Sequence, residues 1–173
     1  MKVPRLDLSQ TYTPRRATEA DLIDIEALVS SAYEKYIVRI GRKPKPMVAD
    51  YRNALANHEL WVLERDQSLI AVLELISNPG HLLIENIAVS PRCQGSGIGR
   101  QLMLFAESEA KRLGYREIRL YTNERFTENI PIYSKLGYRE TRREQLPEAL
   151  VIHMAKAVHV QPSQTRGANQ NDA

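Results

Sequence analysis

The chain has 173 residues, a length that suits one domain with a buried core. Its 43% hydrophobic and 26% charged residues are typical of a globular protein, and its net charge of +3 comes without the dense basic runs of nucleic-acid-binding proteins. The only cysteine, Cys93, excludes an internal disulfide, and no apolar run reaches the roughly 18 residues of a membrane span. Residues 1–13 lack the apolar core of a signal peptide, so we expect a cytoplasmic protein that binds neither membranes nor nucleic acid.

Hydrophobic periodicity and turn residues predict a chain in which strands and helices alternate. After a loose lead-in over residues 1–11, the predicted strands span 12–17, 59–65, 69–77, 81–89, 117–122, 138–144 and 149–155. The predicted helices span 18–40, 48–57, 98–113 and 127–136, and the prolines at 44 and 46 place a loop between the first two. This order predicts one α/β (α+β) domain over residues 1–160, followed by a disordered polar tail over 161–173.

The first helix has a clear start and a clear apolar face. Thr18 is a good N-cap, and Asp21 lies three residues later, close to the arrangement of a capping box. Apolar residues then recur at helical spacing, which predicts one buried stripe: Leu22, Ile25, Leu28, Val29 and Ala32.

A glycine-rich loop, Gln94-Gly95-Ser96-Gly97-Ile98-Gly99-Arg100, joins the fourth predicted strand to the third helix. Its three glycines remove side chains where the backbone must approach a ligand. The first N–H groups of the following helix point outwards, and the helix dipole adds positive potential. The loop therefore predicts an anion site that suits a pyrophosphate, the alternative being a glycine-rich turn without a ligand.

Two familiar phosphate loops do not fit this segment. A Walker A loop requires Lys and then Ser or Thr after its last glycine, but Arg100 and Gln101 follow Gly99. A dinucleotide fingerprint that starts at Gly95 requires its third glycine at position 100, which is Arg100. The pattern Gln/Arg-x-x-Gly-x-Gly/Ala, in contrast, fits completely from Gln94 to Gly99.

A second segment extends this pattern to a resemblance with a known family. Residues 129–138 read Asn-Ile-Pro-Ile-Tyr-Ser-Lys-Leu-Gly-Tyr, and they follow Tyr121-Thr122-Asn123-Glu124. A helix that carries a tyrosine just before a Lys-Leu-Gly-Tyr turn, downstream of the glycine loop, resembles the second signature of the GNAT superfamily of acyl-CoA-dependent N-acyltransferases. The resemblance covers roughly residues 12–156 and is sharpest over 82–140.

The resemblance implies the GNAT fold, a mixed and mostly antiparallel sheet of about six or seven strands that is splayed between strands 4 and 5 and flanked by about four helices. It also implies acetyl-CoA (coenzyme A) as co-substrate, bound in the opening between those strands. The implied cofactor-binding residues come from the fourth strand, the glycine loop and the fourth helix: Ile87, Ala88, Val89, Gln94, Gly95, Ser96, Gly97, Ile98, Gly99, Arg100 and Asn129.

Acetyl transfer to an amine requires removal of a proton from the amine, stabilisation of an oxyanion and protonation of the departing thiolate. In similar proteins a tyrosine at the position of Tyr133 lies near the coenzyme sulfur, so Tyr133 is the predicted general acid; alternatively, it only packs its helix onto the sheet. Similar proteins also place a glutamate at the position of Glu85, which is the predicted general base; alternatively, it faces solvent or pairs with an arginine. The resemblance further implies that the backbone N–H of Val89, or that of a neighbouring residue, polarises the acetyl carbonyl.

Acceptor recognition is predicted from the first two helices and the proline-containing loop between them. The candidate substrate-binding residues are Tyr33, Tyr36, Arg39, Met47 and Asp50. Asp50 suits a cationic amine, and the arginines of this region suit an acceptor carboxylate. A solvated helix face with core aromatics is the remaining alternative.

The leading hypothesis is an N-acetyltransferase that moves the acetyl group of acetyl-CoA to the primary amine of a small molecule by direct attack in a ternary complex. The alternatives are a protein or peptide N-acetyltransferase and a non-catalytic coenzyme A-binding regulatory module. Cys93 lacks a His/Asp partner nearby and is predicted to be a surface loop thiol, and the four histidines lack metal-ligand spacing, so no metal is expected. Many GNAT proteins are dimers, so a homodimer is considered, although the sequence identifies no interface.

Overall fold

A computed structural model describes residues 12–159; the lead-in over 1–11 and the tail predicted over 161–173 lie outside the described residues. Seven strands form the sheet: β1 Arg15–Arg16, β2 Glu59–Arg65, β3 Ser68–Asn78, β4 His81–Val89, β5 Glu117–Asn123, β6 Arg139–Leu146 and β7 Ala149–Ala157. Four helices accompany them: α1 Leu22–Ile40, α2 Tyr51–Asn57, α3 Ile98–Arg112 and α4 Asn129–Lys135. Short 3-10 turns cover Glu19–Asp21, Lys45–Val48 and Pro91–Cys93.

The sheet has the strand order β1-β2-β3-β4-β5-β7-β6 and contains one parallel pair, β4 with β5. That parallel pairing joins residues 82–84 to residues 118–120 and then stops, although both strands continue. The two strands diverge beyond this point, which we call the fork. The predicted GNAT fold, with a mixed, mostly antiparallel sheet splayed between strands 4 and 5, is confirmed.

Helices pack on both faces of the sheet and make two apolar cores. The predicted stripe of α1, from Leu22 to Ala32, is buried together with Val62, Val72 and Ala88. On the opposite face, α3 buries its apolar side against residues of β3, β4, β5 and β7, among them Leu82 and Ile118, both fully buried. Core residues of β4 therefore pack on both faces of the sheet, whereas those of β5 pack on the α3 face.

Two predicted boundaries were wrong. The predicted strand over 12–17 is reduced to Arg15–Arg16, which pair with Val62 and Trp61 of β2. The predicted helix over 48–57 begins only at Tyr51, because the chain forms a 3-10 turn over Lys45–Val48 and the Asp50 side chain then caps α2 by accepting a hydrogen bond from the Asn53 N–H at 2.9 Å.

The start of the first helical segment depends on the side chain of Asp21. Its carboxylate accepts a hydrogen bond from the backbone N–H of Thr18 at 2.7 Å, as a capping box requires. The Arg15 guanidinium donates to both oxygens of the same carboxylate, at 2.9 and 2.8 Å. The bonds from Arg15 have the largest effect, and together with those from Thr18 they hold the pKa of Asp21 well below its usual range, although burial alone would raise it.

We predict that Asp21→Asn lowers the free energy of unfolding at pH 7 by about 1–2 kcal/mol. The neutral carboxamide keeps one acceptor oxygen for the Thr18 N–H, but it loses the charge-assisted pair with Arg15 and sets an NH2 donor against the guanidinium. The folded-state pKa of Asp21 lies below the value of about 3.9 of an unfolded aspartate. Its contribution is therefore fully present above about pH 5 and is lost as the pH falls through about 4 towards the folded-state pKa. Urea unfolding at a series of pH values should show the two proteins converging in acid.

A matched control is Asp24→Asn, since Asp24 is exposed and also lies in the first turn of α1. This substitution should change the free energy of unfolding by less than about 0.5 kcal/mol. Equal losses in the two variants, or a constant gap between Asp21→Asn and wild type down to about pH 2, would contradict the role of Asp21.

Candidate active site

The glycine loop begins where β4 ends and delivers the chain into α3. Gly95 and Gly97 have φ of +76° and +85°, in the left-handed region that favours glycine. Gly99 already lies in α3, and a Cβ added there would meet only the Val89 side chain at an ordinary 3.9 Å. Gly95 and Gly97 are thus required by their positive φ angles, whereas the role of Gly99 is to leave the first helical turn without a side chain on its surface.

That bare turn presents free backbone donors. The hydrogen-bond ladder of α3 begins with Gln101 N–H, which donates to the Gly97 carbonyl at 3.0 Å. The N–H groups of Ile98, Gly99 and Arg100 precede it, so they have no intrahelical acceptor. These donors and the positive end of the helix dipole are the features that an anion site requires, and the binding of an anion at this turn stays a prediction.

The Gln94 side chain connects the loop to two other elements. Its Nε2 donates to the Val89 carbonyl at 3.0 Å, and its Oε1 accepts from Lys35 Nζ of α1 at 3.0 Å. Sequence reasoning missed Lys35, because the contact joins residues that are 59 positions apart. Lys35 adds a positive charge beside the glycine loop.

The edge of β4 beyond the fork carries polar backbone groups that face the opening. Ser90 N–H donates to Ile70 of β3, so the alternation of an antiparallel pair directs the backbone groups of Ala88 to β3 and those of Ile87 and Val89 away from it. The Tyr33 hydroxyl, 3.4 Å from the Ile87 carbonyl, and Gln94 both reach this open edge. Of the three predicted residues of β4, Ile87 and Val89 can therefore hydrogen-bond a ligand through the main chain.

A cavity of about 440 Å³ runs from the glycine loop along this edge. It brings together the predicted cofactor residues other than Ser96 and Ile98, the two predicted tyrosines of α1 and the predicted general acid. The Ile98 side chain is instead buried in the core beneath α3, and the predicted base Glu85 is not part of the lining. Its lining consists of Ala32, Tyr33, Lys35, Tyr36, Ile87, Ala88, Val89, Cys93, Gln94, Gly95, Gly97, Gly99, Arg100, Met103, Glu128, Asn129, Ile132 and Tyr133.

Tyr133 and Asn129 reach the cavity from α4, where the four-residue spacing puts both on one face. Burial raises the pKa of Tyr133 to about 12, so its phenol keeps its proton at neutral pH. Asn129 Nδ2 lies 3.5 Å from Thr122 Oγ1 of β5. The carboxamide is thereby directed towards the β5 side of the opening.

Glu85 lies at the fork, one residue beyond the last β4 residue paired with β5. It pairs with Lys45 at 2.5 Å instead of an arginine, and the Tyr121 hydroxyl of β5 donates to it at 2.7 Å. Burial is the first cause that raises the pKa of Tyr121, to about 12, so Tyr121 is also a phenol at neutral pH. Sequence reasoning missed Lys45 and did not assign Tyr121 a role, although parallel pairing of residues 84 and 120 makes residues 85 and 121 neighbours.

The predicted acceptor residues of α1 are held in two networks. The Tyr33 hydroxyl donates to Asn86 Oδ1 at 2.7 Å. The Tyr36 hydroxyl donates to Glu128 Oε1 at 3.1 Å, and Arg39 donates to Glu128 Oε2 at 2.6 Å. Tyr36 is buried in this network. Burial is the largest cause that raises the pKa of its phenol, and the nearby Glu128 charge is the second.

Arg39, Met47 and Asp50 stand outside the lining of the cavity described above. The Arg39 guanidinium is paired with Glu128, and the Asp50 carboxylate caps α2. Met47 lies half-buried in the 3-10 turn between α1 and α2. Their assignment to the acceptor stays a prediction.

The prediction of a surface thiol at Cys93 was wrong. Cys93 is only 2% exposed, because the 3-10 turn Pro91–Cys93 folds the loop back onto the core and Arg65 lies over the sulfur at 3.6 Å. Among residues 12–159, no cluster of three or more His, Cys, Asp or Glu side chains is placed to hold a metal ion. None of the helices in the same range has the length and apolar character needed to cross a bilayer.

Comparison with known proteins identifies the family. A model described as the acetyltransferase (GNAT) family matches residues 24–138. An uncharacterized N-acetyltransferase of Methanocaldococcus jannaschii is 26% identical over 151 residues, covering 78% of this chain and 63% of that protein. An uncharacterized N-acetyltransferase of Bacillus subtilis is 30% identical over 95 residues, covering 55% of this chain and 60% of that protein. The chain thus spans less than two thirds of the length of these curated relatives.

Solved structures share the fold at low sequence identity. The PaiA N-acetyltransferase of Thermoplasma acidophilum, in complex with coenzyme A, matches with a TM-score of 0.69 and 16% identity over 83% of this chain and 98% of that chain. A GNAT family acetyltransferase of Elizabethkingia anophelis with acetyl-CoA bound matches with a TM-score of 0.66 and 20% identity over 86% of this chain and 99% of that chain. Because the family model covers more than half of the sequence and the forked sheet agrees with it, this chain belongs to the GNAT family of acetyltransferases.

Proposed function

We propose that this protein transfers the acetyl group of acetyl-CoA to the primary amine of a small molecule by direct attack in a ternary complex. The observation that carries the proposal is the cavity at the fork. It has free backbone N–H donors at the glycine loop, an open strand edge at Ile87 and Val89, and the protonated phenol of Tyr133 in its wall. Glu85 lies at the same fork, outside the lining of the cavity and hydrogen-bonded to Tyr121 of β5.

The residues present fit coenzyme A along the whole cavity. The free N–H groups of Ile98, Gly99 and Arg100 suit the pyrophosphate, and the open edge of β4 suits the amides of the pantetheine arm. Lys35 supplies a further positive charge beside the loop. The coenzyme A and acetyl-CoA complexes of the structural neighbours support this assignment, which is a proposal for this chain.

The proposed chemistry assigns one task to each group. Acetyl-CoA, when bound, supplies the activated acetyl group. Tyr133 holds the proton that a departing thiolate needs, because its raised pKa keeps the phenol protonated. In this proposal the Val89 N–H, which lies on the open edge, stabilises the oxyanion, and Glu85 accepts the proton of the amine directly or through a water molecule.

A small acceptor suits the enclosed far side of the fork better than a peptide. The segment between α1 and α2 crosses that side, with Lys45 bonded to Glu85 and Tyr121. Arg42 of the same segment pairs at 3.0 Å with Glu148, in the turn between β6 and β7. An extended peptide needs an open groove, and these two crossings obstruct one.

Turnover is the direct test of the proposal. We expect acetyl-CoA to raise the melting temperature and primary alkylamines to cause thiol release above the rate of hydrolysis, each amine gaining the mass of one acetyl group. Turnover rates with a panel of alkylamines, aryl amines and lysine-containing peptides distinguish the hypothesis of a small-molecule acceptor from that of a peptide acceptor. Stabilisation by acetyl-CoA without turnover of any amine would leave a coenzyme A-binding module and reject the enzyme.

We predict that Gly99→Glu separates coenzyme A binding from folding. A Cβ at this position meets only Val89 of the protein, and glutamate is favoured over glycine in a helix, above all in its first turn. The melting temperature should therefore be unchanged or higher. Because Gly99 lines the cavity, a carboxylate there should repel the pyrophosphate and weaken coenzyme A binding about tenfold or more, whereas Gly99→Ala, which the pattern Gln/Arg-x-x-Gly-x-Gly/Ala permits, should bind like wild type.

Calorimetric titration with coenzyme A measures this effect, and Ser108→Ala on the exposed side of α3 is the control that should bind like wild type. An unchanged dissociation constant in Gly99→Glu would contradict the placement of the pyrophosphate on this turn.

We predict that Tyr133→Phe lowers kcat by about a hundredfold while coenzyme A still binds, since the variant keeps the ring and loses only the acid. Thiol release at saturating amine measures kcat, and calorimetry checks binding. Tyr115→Phe, at a half-buried tyrosine that packs against the core, is the matched control and should retain turnover. Full activity in Tyr133→Phe would exclude Tyr133 as the general acid.

A further inference from the structure

Lys45 occupies a site that is built like a receptor for an alkylammonium ion. Its Nζ donates to Glu85 Oε1 at 2.5 Å and to the Tyr121 hydroxyl at 2.8 Å. The Tyr121 hydroxyl donates to the same Glu85 oxygen, and the Nζ also lies 5.4 Å from the centre of the Tyr121 ring. A carboxylate, a hydroxyl oxygen and an aromatic face are the groups that bind organic ammonium ions. We call Glu85 and Tyr121 the ammonium subsite.

Glu85 and Tyr121 are held more rigidly than Lys45, which occupies their subsite. The Glu85 side chain is 14% exposed and that of Lys45 is 68% exposed. Glu85 and Tyr121 project from strands that are paired up to the fork, whereas Lys45 comes from a short turn between two helices. The Lys45 side chain can therefore leave into solvent without disturbing the sheet.

The backbone beside Lys45, in contrast, is tied to the cavity by a chain of hydrogen bonds. The Tyr51 hydroxyl donates to the Pro46 carbonyl at 2.9 Å and accepts from Asn86 Nδ2 at 3.1 Å. Asn86 Oδ1 in turn accepts from Tyr33 in the cavity wall at 2.7 Å. The turn thus keeps Lys45 within reach of the subsite, so the side chain acts as a tethered ligand at high effective concentration.

We propose that Glu85 and Tyr121 bind the ammonium group of the acceptor and that Lys45 is a built-in competitor, which a protonated primary alkylamine displaces. This inference rests on the proposed function, because it gives that acceptor its chemical class. Aryl amines, which are neutral at pH 7, lack the charge that replaces Lys45. After displacement, the acceptor amine lies beside the carboxylate that is proposed to take its proton.

The competitor should reduce amine affinity only moderately. An ion pair with one exposed partner contributes little to stability, so a free alkylammonium ion displaces it readily. Removing the Lys45 charge should therefore tighten alkylammonium binding by roughly three- to fivefold, which corresponds to up to about 1 kcal/mol.

Calorimetric titration with butylammonium, at saturating coenzyme A and without an acetyl donor, tests the proposal independently of turnover. Lys45→Met, which removes the charge and keeps the chain length, should bind butylammonium roughly three- to fivefold more tightly than wild type. Lys45→Arg, which keeps a cation in place, should show no gain. Lys43→Met, at the exposed lysine two positions earlier in the same loop, should match wild type.

A double-variant cycle locates the effect at the subsite. In a Glu85→Gln background, the added Lys45→Met substitution should give no further gain, because the competition is for the Glu85 carboxylate. An unchanged or weaker affinity in Lys45→Met, or a gain that persists with Glu85→Gln, would overturn the inference. Absence of turnover with every amine would instead reject the proposed function, while the titrations would still decide the role of Lys45.

Discussion

The separation of β4 from β5 is the constraint on which the rest of the molecule depends. A parallel pair satisfies the backbone of both strands only while they run side by side, and here the pairing stops after residues 84 and 120. Beyond that point the edge of β4 needs other partners, and Tyr33 and Gln94 supply part of them. A sheet with an open interior edge is unfavourable by itself. A ligand with amide groups along its length can satisfy these unpaired backbone groups, which gives the opening a physical reason.

An irregularity in β4 accompanies the fork. Ile84 pairs with Leu75 and Asn86 with Glu74, so Glu85 is an extra residue without a counterpart in β3. A β-bulge of this kind bends the strand and re-aims side chains. Ile84 joins the core on the α3 side, whereas Asn86 bonds Tyr33 and Tyr51 on the α1 side. The bulge thus presents Glu85 to Tyr121 at the point where the strands part.

The sequence carried the local features of this architecture but few of its long-range pairs. The succession of strands and helices along the chain, the glycine loop between a strand and a helix, and the apolar stripe of α1 follow from short-range patterns, and the structure confirms them. The splayed sheet follows from the family resemblance and is also confirmed. Lys45 could not be paired with Glu85 from the sequence, since charged residues 40 positions apart have no spacing rule that joins them. Cys93 was misplaced for a related reason, because loop residues are usually exposed and only the fold of the 3-10 turn buries this one.

The cavity has walls that are fixed by apolar packing, whereas the side chains of Arg39, Arg42 and Lys45 around the fork are held only by ion pairs. We call these three side chains the cover. The walls rest on fully buried residues of both cores, such as Val72 and Ile118, whose packing is costly to disturb. In the ion pairs of the cover, Arg39, Lys45 and Arg42 are 42%, 68% and 43% exposed. Each such pair contributes about 0–1 kcal/mol, so a single side chain such as that of Lys45 can leave at little cost while the fork and its donors keep their geometry. The backbone of the segment between α1 and α2 stays in place, because the Tyr51 hydroxyl holds the Pro46 carbonyl, and it continues to obstruct an extended peptide. Preorganised groups at the reacting centre and loosely held charges at the entrance are thus compatible within one small domain, because different interactions hold them.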